Sequence, residues 1–118
     1  MRKIKKMPEI SLQPLRIPKG WTINQNSFRE IDPKNLAPDD EKWLFFSQDL
    51  MQLTYSRKNY LLDLGWYPDA DANGFYQLVM MQNEDWDQPI YEFQTNSHIE
   101  IVKNIEFILN KLRIMKCS

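Results

Sequence analysis

The chain has 118 residues, 42% of them hydrophobic, and a formal net charge of −1, which suits one folded domain with a modest core. No apolar run reaches the roughly 20 residues that a membrane-spanning helix needs. The basic start of the chain is not followed by the apolar segment of a secretory signal. A single cysteine, Cys117, excludes an internal disulfide. We therefore expect a cytoplasmic protein that does not insert into a membrane.

The near-neutral net charge conceals an uneven distribution of charges. Residues 1–20 contain six Lys or Arg and one acid, whereas residues 59–102 contain eight Asp or Glu and no Lys or Arg. Such a stretch is typical of solvated turn residues, and also of an acidic face that attracts a basic partner. The charge pattern alone leaves both interpretations open.

Residues 1–19 are predicted to form an extended basic arm, and residues 20–118 a single α+β domain. Pro8, Pro14 and Pro18 recur in the arm. Proline lacks a backbone N–H and biases the preceding residue towards extended geometry, so the arm should not form a helix or an interior strand.

The first elements of the domain are short. Residues 21–23 are predicted to form a strand, 24–27 a turn, and 28–31 a second short strand that ends before an Asp-Pro pair. A short helix is predicted over 39–48, because acids in its first turn favour the positive end of the helix dipole and apolar residues follow at helical spacing.

Alternating apolar and polar residues then predict a run of strands. Residues 51–55 and 60–67 flank a polar hairpin turn at 56–59, and residues 75–81 and 90–95 follow. The segment 75–81 is apolar on both faces, which indicates a strand inside the sheet rather than at its edge. The segment 90–95 is predicted to be an edge that could pair with another copy, and the oligomeric state stays open.

The C-terminal helix has the strongest pattern. Ser97 and Glu100 form an S-x-x-E capping box, and an apolar stripe follows at helical spacing, formed by Ile101, Val102, Ile105, Ile108, Leu109 and Leu112. The predicted fold is therefore α+β, with an antiparallel β-meander of about four to five strands. The long C-terminal helix packs on one face of the sheet, and a short helix lies in the N-terminal third.

The segment PDADANG, residues 68–74, resembles the first half of a calcium loop, with Asp69 and Asp71 at ligand positions. The twelfth position, where a bidentate Glu is needed, holds Met80, and the flanking segments are strand-like rather than helical. A hairpin turn explains every residue of the segment, because Asn73 and Gly74 both tolerate positive φ and the two acids can cap local N–H groups. We therefore predict no metal site.

Residues suited to catalysis are few. The only histidine, His98, is predicted to lie on the surface at the start of the terminal helix, and Cys117 is too near the end of the chain to be held rigidly. Asp63 lies in a strand, and burial there would raise its pKa. We predict no catalytic residue and no cofactor. The alternative is a small-ligand or metal-binding protein, or an enzyme, centred on Asp63, Asp69 and Asp71.

Protein binding fits the sequence better. Aromatic residues, the usual anchors of interfaces, alternate with acids that would select a basic partner. Trp66 is in phase with Leu62 and Leu64, which also indicates a core position, and Trp86 fits either burial or exposure. Residues 21–118 sum to −6, which argues against a nucleic-acid partner. The predicted partner-binding residues are Trp66, Tyr67, Asp69, Asp71, Glu84, Asp85, Trp86 and Asp87.

The phrase LDLGWYPDADANGFYQLVMM, with the later W-D-Q-P and F-Q-T, resembles small proteins of low-GC Gram-positive bacteria. The likeness covers most of residues 20–112 and carries no active-site motif. Some of those proteins are suspected to be immunity proteins, which neutralise a toxin from neighbouring cells. The resemblance thus implies a non-enzymatic inhibitor of a basic toxin, which would act through the acidic aromatic loops 68–74 and 83–89.

Overall fold

The computed structural model describes residues 10–114, and side chains as far as residue 112. Five strands form one antiparallel sheet in the order β1 to β5, and one α-helix follows it. Their bounds are β1 Thr22–Asn26, β2 Met51–Tyr55, β3 Tyr60–Tyr67, β4 Phe75–Gln82, β5 Tyr91–Thr95 and α1 His98–Ile114. This arrangement is the predicted α+β meander. Residues 1–9 of the predicted arm, and Cys117, lie outside the described residues.

One face of the sheet is continuous and apolar, because cross-strand partners on it carry matching side chains. Leu53 pairs with Leu62, and Leu62 pairs with Met80. These side chains are fully buried, as are Met51, Leu64 and Leu78. Strand β2, and β3 and β4 over most of their length, alternate buried and partly exposed residues with period two, which is the geometry of a pleated strand with one face on the core.

Helix α1 packs on this apolar face. Ile101, Ile105 and Leu109 of the predicted stripe are completely buried. The Glu100 N–H donates to Ser97 Oγ (3.2 Å), as the capping box predicts. The Glu100 carboxylate, however, accepts from the hydroxyl of Thr95 (2.6 Å) instead of from the Ser97 N–H. The first turn of α1 is thereby hydrogen-bonded to the last residue of β5.

The predicted elements of residues 21–31 are partly wrong. Asn24 to Asn26 belong to β1 rather than to a turn, and 28–31 contains only an isolated bridge between Leu12 and Arg29. The Gln13 N–H donates to Phe28 O (2.8 Å) and the Glu30 N–H to Ser11 O (2.9 Å). The partner of this segment is the proline-rich arm, which no local pattern identifies.

The predicted short helix over 39–48 is a 3-10 helix, Glu41–Phe45, preceded by a second one at Pro33–Asn35. Asp40 caps it, since its carboxylate accepts from the Lys42 N–H (2.8 Å). The helix ends early because residues 47–50 pair with β3 instead: Ser47 O accepts from Trp66 N, and Leu50 N donates to Leu64 O. Sheet pairing therefore overrides the local helical pattern. Within residues 10–114, no helix is long and apolar enough to cross a bilayer.

Consecutive connections of a meander lie at opposite ends of its sheet, and this fixes where the loops are. The loop 68–74 precedes β4 and the loop 83–89 follows it. Strand β4 has eight residues, which span about 26 Å at about 3.3 Å per residue. The turn at 56–59 joins β2 to β3 and lies at the same end as loop 83–89, since the Asn83 N–H donates to Asn59 O (2.9 Å).

Candidate functional site

The acids of the PDADANG loop are used to hold its own fold. Asp69 Oδ1 accepts from the Gln48 N–H (2.6 Å), and Asp71 Oδ1 accepts from the Asn73 N–H (2.8 Å). The Asp71 carbonyl accepts from the indole N–H of Trp66 (2.8 Å). Among the described residues, no group of three or more His, Cys, Asp or Glu could hold a metal ion. These contacts support the turn interpretation.

The turn is not built as the Asn73-Gly74 pair predicts. The left-handed residue is Ala70, with φ 55°, the Tyr67–Pro68 peptide bond is cis, and neither Asn73 nor Gly74 has positive φ. Gly74 is required for another reason. A Cβ there would lie 2.5 Å from Trp66 Nε1 and 2.6 Å from Tyr67 O, closer than non-bonded atoms approach.

Trp66 lies in the core, with 1% of its surface exposed. Its ring centroid is 5.0 Å from that of Phe46 and 4.9 Å from that of Tyr76, both in edge-to-face contacts. The side chain therefore stabilises the core and presents no surface to a partner. Tyr67, the next residue, is half-buried on the opposite face of β3.

Asp63 lies on the sheet face turned away from α1, between Gln52 and Val79. Burial raises the pKa of its carboxyl, and the nearby charge of Asp49 raises it further. Burial also raises the pKa of Tyr67, as do the charges of Asp63, Asp49 and Asp69. Asp71 instead turns into its own loop, so the three acids of the alternative reading do not form one site.

The prediction that His98 lies on the surface is wrong. The imidazole is half-buried and links three parts of the fold: its Nε2–H donates to Gln13 Oε1 (2.7 Å), and Nδ1 accepts from the Tyr76 hydroxyl (2.9 Å). Both bonds suit the neutral ring, because an amide oxygen can only accept. Burial lowers the pKa of His98, against the opposing effects of Asp32 and Glu30.

We expect the fold to lose stability as the pH falls below 6.5, the ordinary pKa of histidine. The folded state holds His98 neutral, so the unfolded chain binds the proton more readily and acid favours unfolding. For one proton the slope cannot exceed about 1.4 kcal/mol per pH unit. Urea unfolding between pH 8 and 5.5 measures it, with His98→Gln as the comparison. Equal pH dependence of the two proteins would contradict this assignment.

The opposite end of the sheet carries an exposed acidic loop, which we name the Trp86 loop (residues 83–89). It begins with a tight turn, in which the Asp85 N–H donates to Gln82 O (3.2 Å). The two central residues, Asn83 and Glu84, both have φ 57°, as in a type I′ turn. Trp86 is 57% exposed, and the acids Glu84, Asp85 and Asp87 around it are also exposed.

A cleft of about 570 Å³ opens beside the start of this loop. The turn at 56–59 forms one wall and the Asn83-Glu84 turn the other, joined by the Asn83–Asn59 hydrogen bond. Leu61 of β3, which is half-buried, contributes apolar surface. The cleft was not predicted from the sequence, although two asparagines that tolerate left-handed geometry stand at its rim, Asn59 and Asn83.

A second groove, of about 640 Å³, lies between the arm and helix α1. It is lined by the cations Arg16, Lys19 and Lys103 and by Phe107, which is 58% exposed. Glu106, also in the groove, accepts from the Arg16 N–H (2.8 Å). The described part of the arm thus presents its positive charge along the helix, away from the sheet face that carries Asp63.

The predicted partner-binding residues therefore divide into three groups. Trp66 is in the core; Tyr67, Asp69 and Asp71 are at one end of the sheet; and the remaining four, at the other end, are Glu84, Asp85, Trp86 and Asp87. The sequence predicted two loops acting together, but the meander places them about one strand length apart. The strand order of the predicted meander already implies this separation of the two loops.

Comparison of the chain with known proteins found no match among family models, curated proteins or solved structures. The likeness to immunity proteins therefore stays a prediction from the sequence.

Proposed function

We propose that this protein is a non-enzymatic binding domain that inhibits a basic protein, in the manner of an immunity protein, through its Trp86 loop. The observation that carries the proposal is a tryptophan 57% exposed to solvent at the centre of three exposed acids. Large exposed aromatic side chains are costly in water and are the commonest anchors of protein interfaces.

The surrounding acids supply what an inhibitor of a basic protein needs. Asp85 Oδ1 accepts from the Asp87 N–H (3.2 Å), as Asp71 Oδ1 does from the Asn73 N–H, but Glu84, Asp85 and Asp87 are all exposed on the connection between β4 and β5. Acids around an aromatic anchor accelerate encounter with a basic surface and discriminate against acidic partners. Inhibition would then be steric and electrostatic, with the loop covering the basic surface of the partner.

The test begins with capture of the tagged protein from its native cells at low salt. The same capture is then made with Trp86→Ala, with the double variant Asp85→Lys and Asp87→Lys, and with Phe107→Ala. We expect the first two to weaken binding about 30-fold or more, as for a central interface residue. Phe107 is the matched control, because it is exposed to the same degree, 58%, on a different surface.

Two results would contradict the proposal. One is an affinity at low salt that the reversal of both charges leaves unchanged. The other is a loss for Phe107→Ala equal to that for Trp86→Ala, which would place the interface on the helix. The proposal would be supported by capture of a stoichiometric basic protein that salt releases. This protein should be lost with Trp86→Ala and retained with Phe107→Ala.

A further inference from the structure

We infer that the cleft beside the Trp86 loop receives an arginine side chain of the basic partner, with Glu84 as its counter-ion. This inference rests on the proposed function for the source of the arginine. The cleft itself is a property of the isolated protein, so its chemistry can be tested without the partner.

The residues around the cleft match a guanidinium group. Glu84 is the only charged residue among those that line it. Asn59 and Asn83 contribute amide groups, and Thr54 and Ser56 contribute hydroxyl groups, all of which can accept hydrogen bonds. A guanidinium has five N–H donors and no acceptor, and it pairs well with a carboxylate surrounded by neutral acceptors.

One of the remaining lining residues suits the rest of an arginine side chain. Leu61, half-buried and paired with Thr54, provides apolar surface, on which the aliphatic stem of an arginine can pack while its charged head meets polar groups. Tyr60 lies in the core with 8% of its surface exposed, so its ring belongs to the opposite face of the sheet. The volume of about 570 Å³ leaves room for such a side chain together with part of the chain that carries it.

The backbone around this cleft contains most of the left-handed residues of the described chain. In the described chain, positive φ at residues other than glycine occurs at Asn59, Ala70, Asn83 and Glu84. Three of these four, all but Ala70, line the cleft. Strained backbone tends to cluster at ligand sites. Glu84 is the least expected of them, since glycine is preferred at the second central position of a type I′ turn.

The charges nearby partly oppose one another. Asp85 and Asp87 add to the negative field of Glu84, whereas Arg57 and Lys58, on the turn at 56–59, act against a cationic guest. Arg57 is exposed, so solvent screens its charge more strongly than it screens charges inside the cleft. Replacement of Arg57 by Gln is therefore expected to strengthen arginine binding two- to threefold.

The test is a titration of the isotopically labelled protein, followed by its amide NMR signals. The probes are acetyl-Gly-Arg-Gly-amide and the same peptide with citrulline, which has the shape of arginine but no charge. We expect the arginine peptide to bind at least about tenfold more tightly and to shift the amide signals of Asn59, Asn83 and Glu84. Equal affinity of the two peptides, or shifts confined to other residues, would overturn the inference.

Glu84 offers two variants that separate binding from folding. Glu84→Gln should remove the preference for arginine without changing the turn. Glu84→Gly should also remove it while raising Tm by about 3 °C, because glycine relieves the left-handed strain. An arginine preference retained in both variants would exclude Glu84 as the counter-ion.

These results are independent of the test of the proposed function. A preference for arginine in the isolated protein, together with capture that Trp86→Ala does not affect, would support the cleft and reject the Trp86 loop as the interface. Capture that depends on Trp86, with no preference for arginine over citrulline, would support the proposed function and reject the cleft as an arginine site. Trp86 is not among the residues that line the cleft.

Discussion

Replacement of Trp66 by alanine is expected to lower the free energy of unfolding by about 4 kcal/mol. The side chain is 1% exposed, and it packs against the rings of Trp43, Phe46 and Tyr76 at 5.7, 5.0 and 4.9 Å between centroids. Alanine would leave a large cavity and remove the indole N–H bond to the Asp71 carbonyl, which would then accept only from the Gly74 N–H (2.9 Å). Since the free energy of unfolding of small domains is about 5–15 kcal/mol, this substitution would remove a large part of the protein's stability.

Trp86→Ala is the matched control for this measurement, because it removes the same side chain from a position 57% exposed. It should change stability by less than about 0.5 kcal/mol. Trp66→Phe keeps a ring but loses the indole N–H, so an intermediate loss of about 2 kcal/mol is expected. Urea unfolding of the three variants gives the comparison. A loss for Trp66→Ala as small as that for Trp86→Ala would contradict the placement of Trp66 in the core.

Gly65→Ala is expected to lower the free energy of unfolding by about 3 kcal/mol. In a strand with free space around it, alanine normally gives a more stable protein than glycine does. A Cβ on Gly65 would lie 2.3 Å from the carbonyl oxygen of Gln48 and 2.8 Å from a ring carbon of Tyr67. The Gln48 backbone cannot move away freely, because its N–H donates to Asp69 and its neighbour Ser47 accepts from Trp66.

The control for Gly65→Ala is Gln77→Ala, on the strand residue paired with Gly65 and on the same sheet face. A change below about 1 kcal/mol is expected there, because the side chain is only half-buried. Thermal unfolding of both variants is sufficient. A stabilised Gly65→Ala protein would mean that residues 47–49 do not cross this part of the sheet.

The variants Trp66→Ala and Gly65→Ala also bear on the proposed function. Both change the end of the sheet where the PDADANG loop, the Ser47–Gln48 backbone and Trp66 are hydrogen-bonded to one another. If that end is structural, its substitutions should reduce stability first and partner affinity only through unfolding. Substitutions in the Trp86 loop should do the reverse, reducing affinity in a protein of unchanged stability.

Much of the fold could be predicted from the sequence because its signals are local. The alternation of Met51, Leu53 and Tyr55 follows from a pleated backbone, and the i, i+4 spacing of Ile101 and Ile105 from helical pitch. The same holds for the Ser97 cap. The predicted strand at 28–31 failed because that segment bonds to the arm, and the helix over 39–48 was shortened because residues 47–50 bond to β3.

The candidate site was predictable only in part. The aromatic and acidic composition of 84–87 led to the prediction of an interaction surface, and the structure shows that Trp86 is exposed there. His98 was placed wrongly because its partners, Gln13 and Tyr76, are 85 and 22 residues away along the chain. Burial of a single polar residue follows from such distant contacts, which leave no periodic signal in the sequence.

Local sequence patterns were sufficient to identify strands β2 to β5 and helix α1, and the apolar faces of β2, β3 and α1. Both are properties of neighbouring residues on a regular backbone. Contacts between segments distant in sequence came only from the folded chain. It placed residues 47–50 along β3, joined the arm to residues 28–30, and brought Asn59 beside Asn83 to form the cleft. Those outcomes depend on the pairing of strands that are distant in sequence, and pairing is fixed only when the whole apolar face is buried.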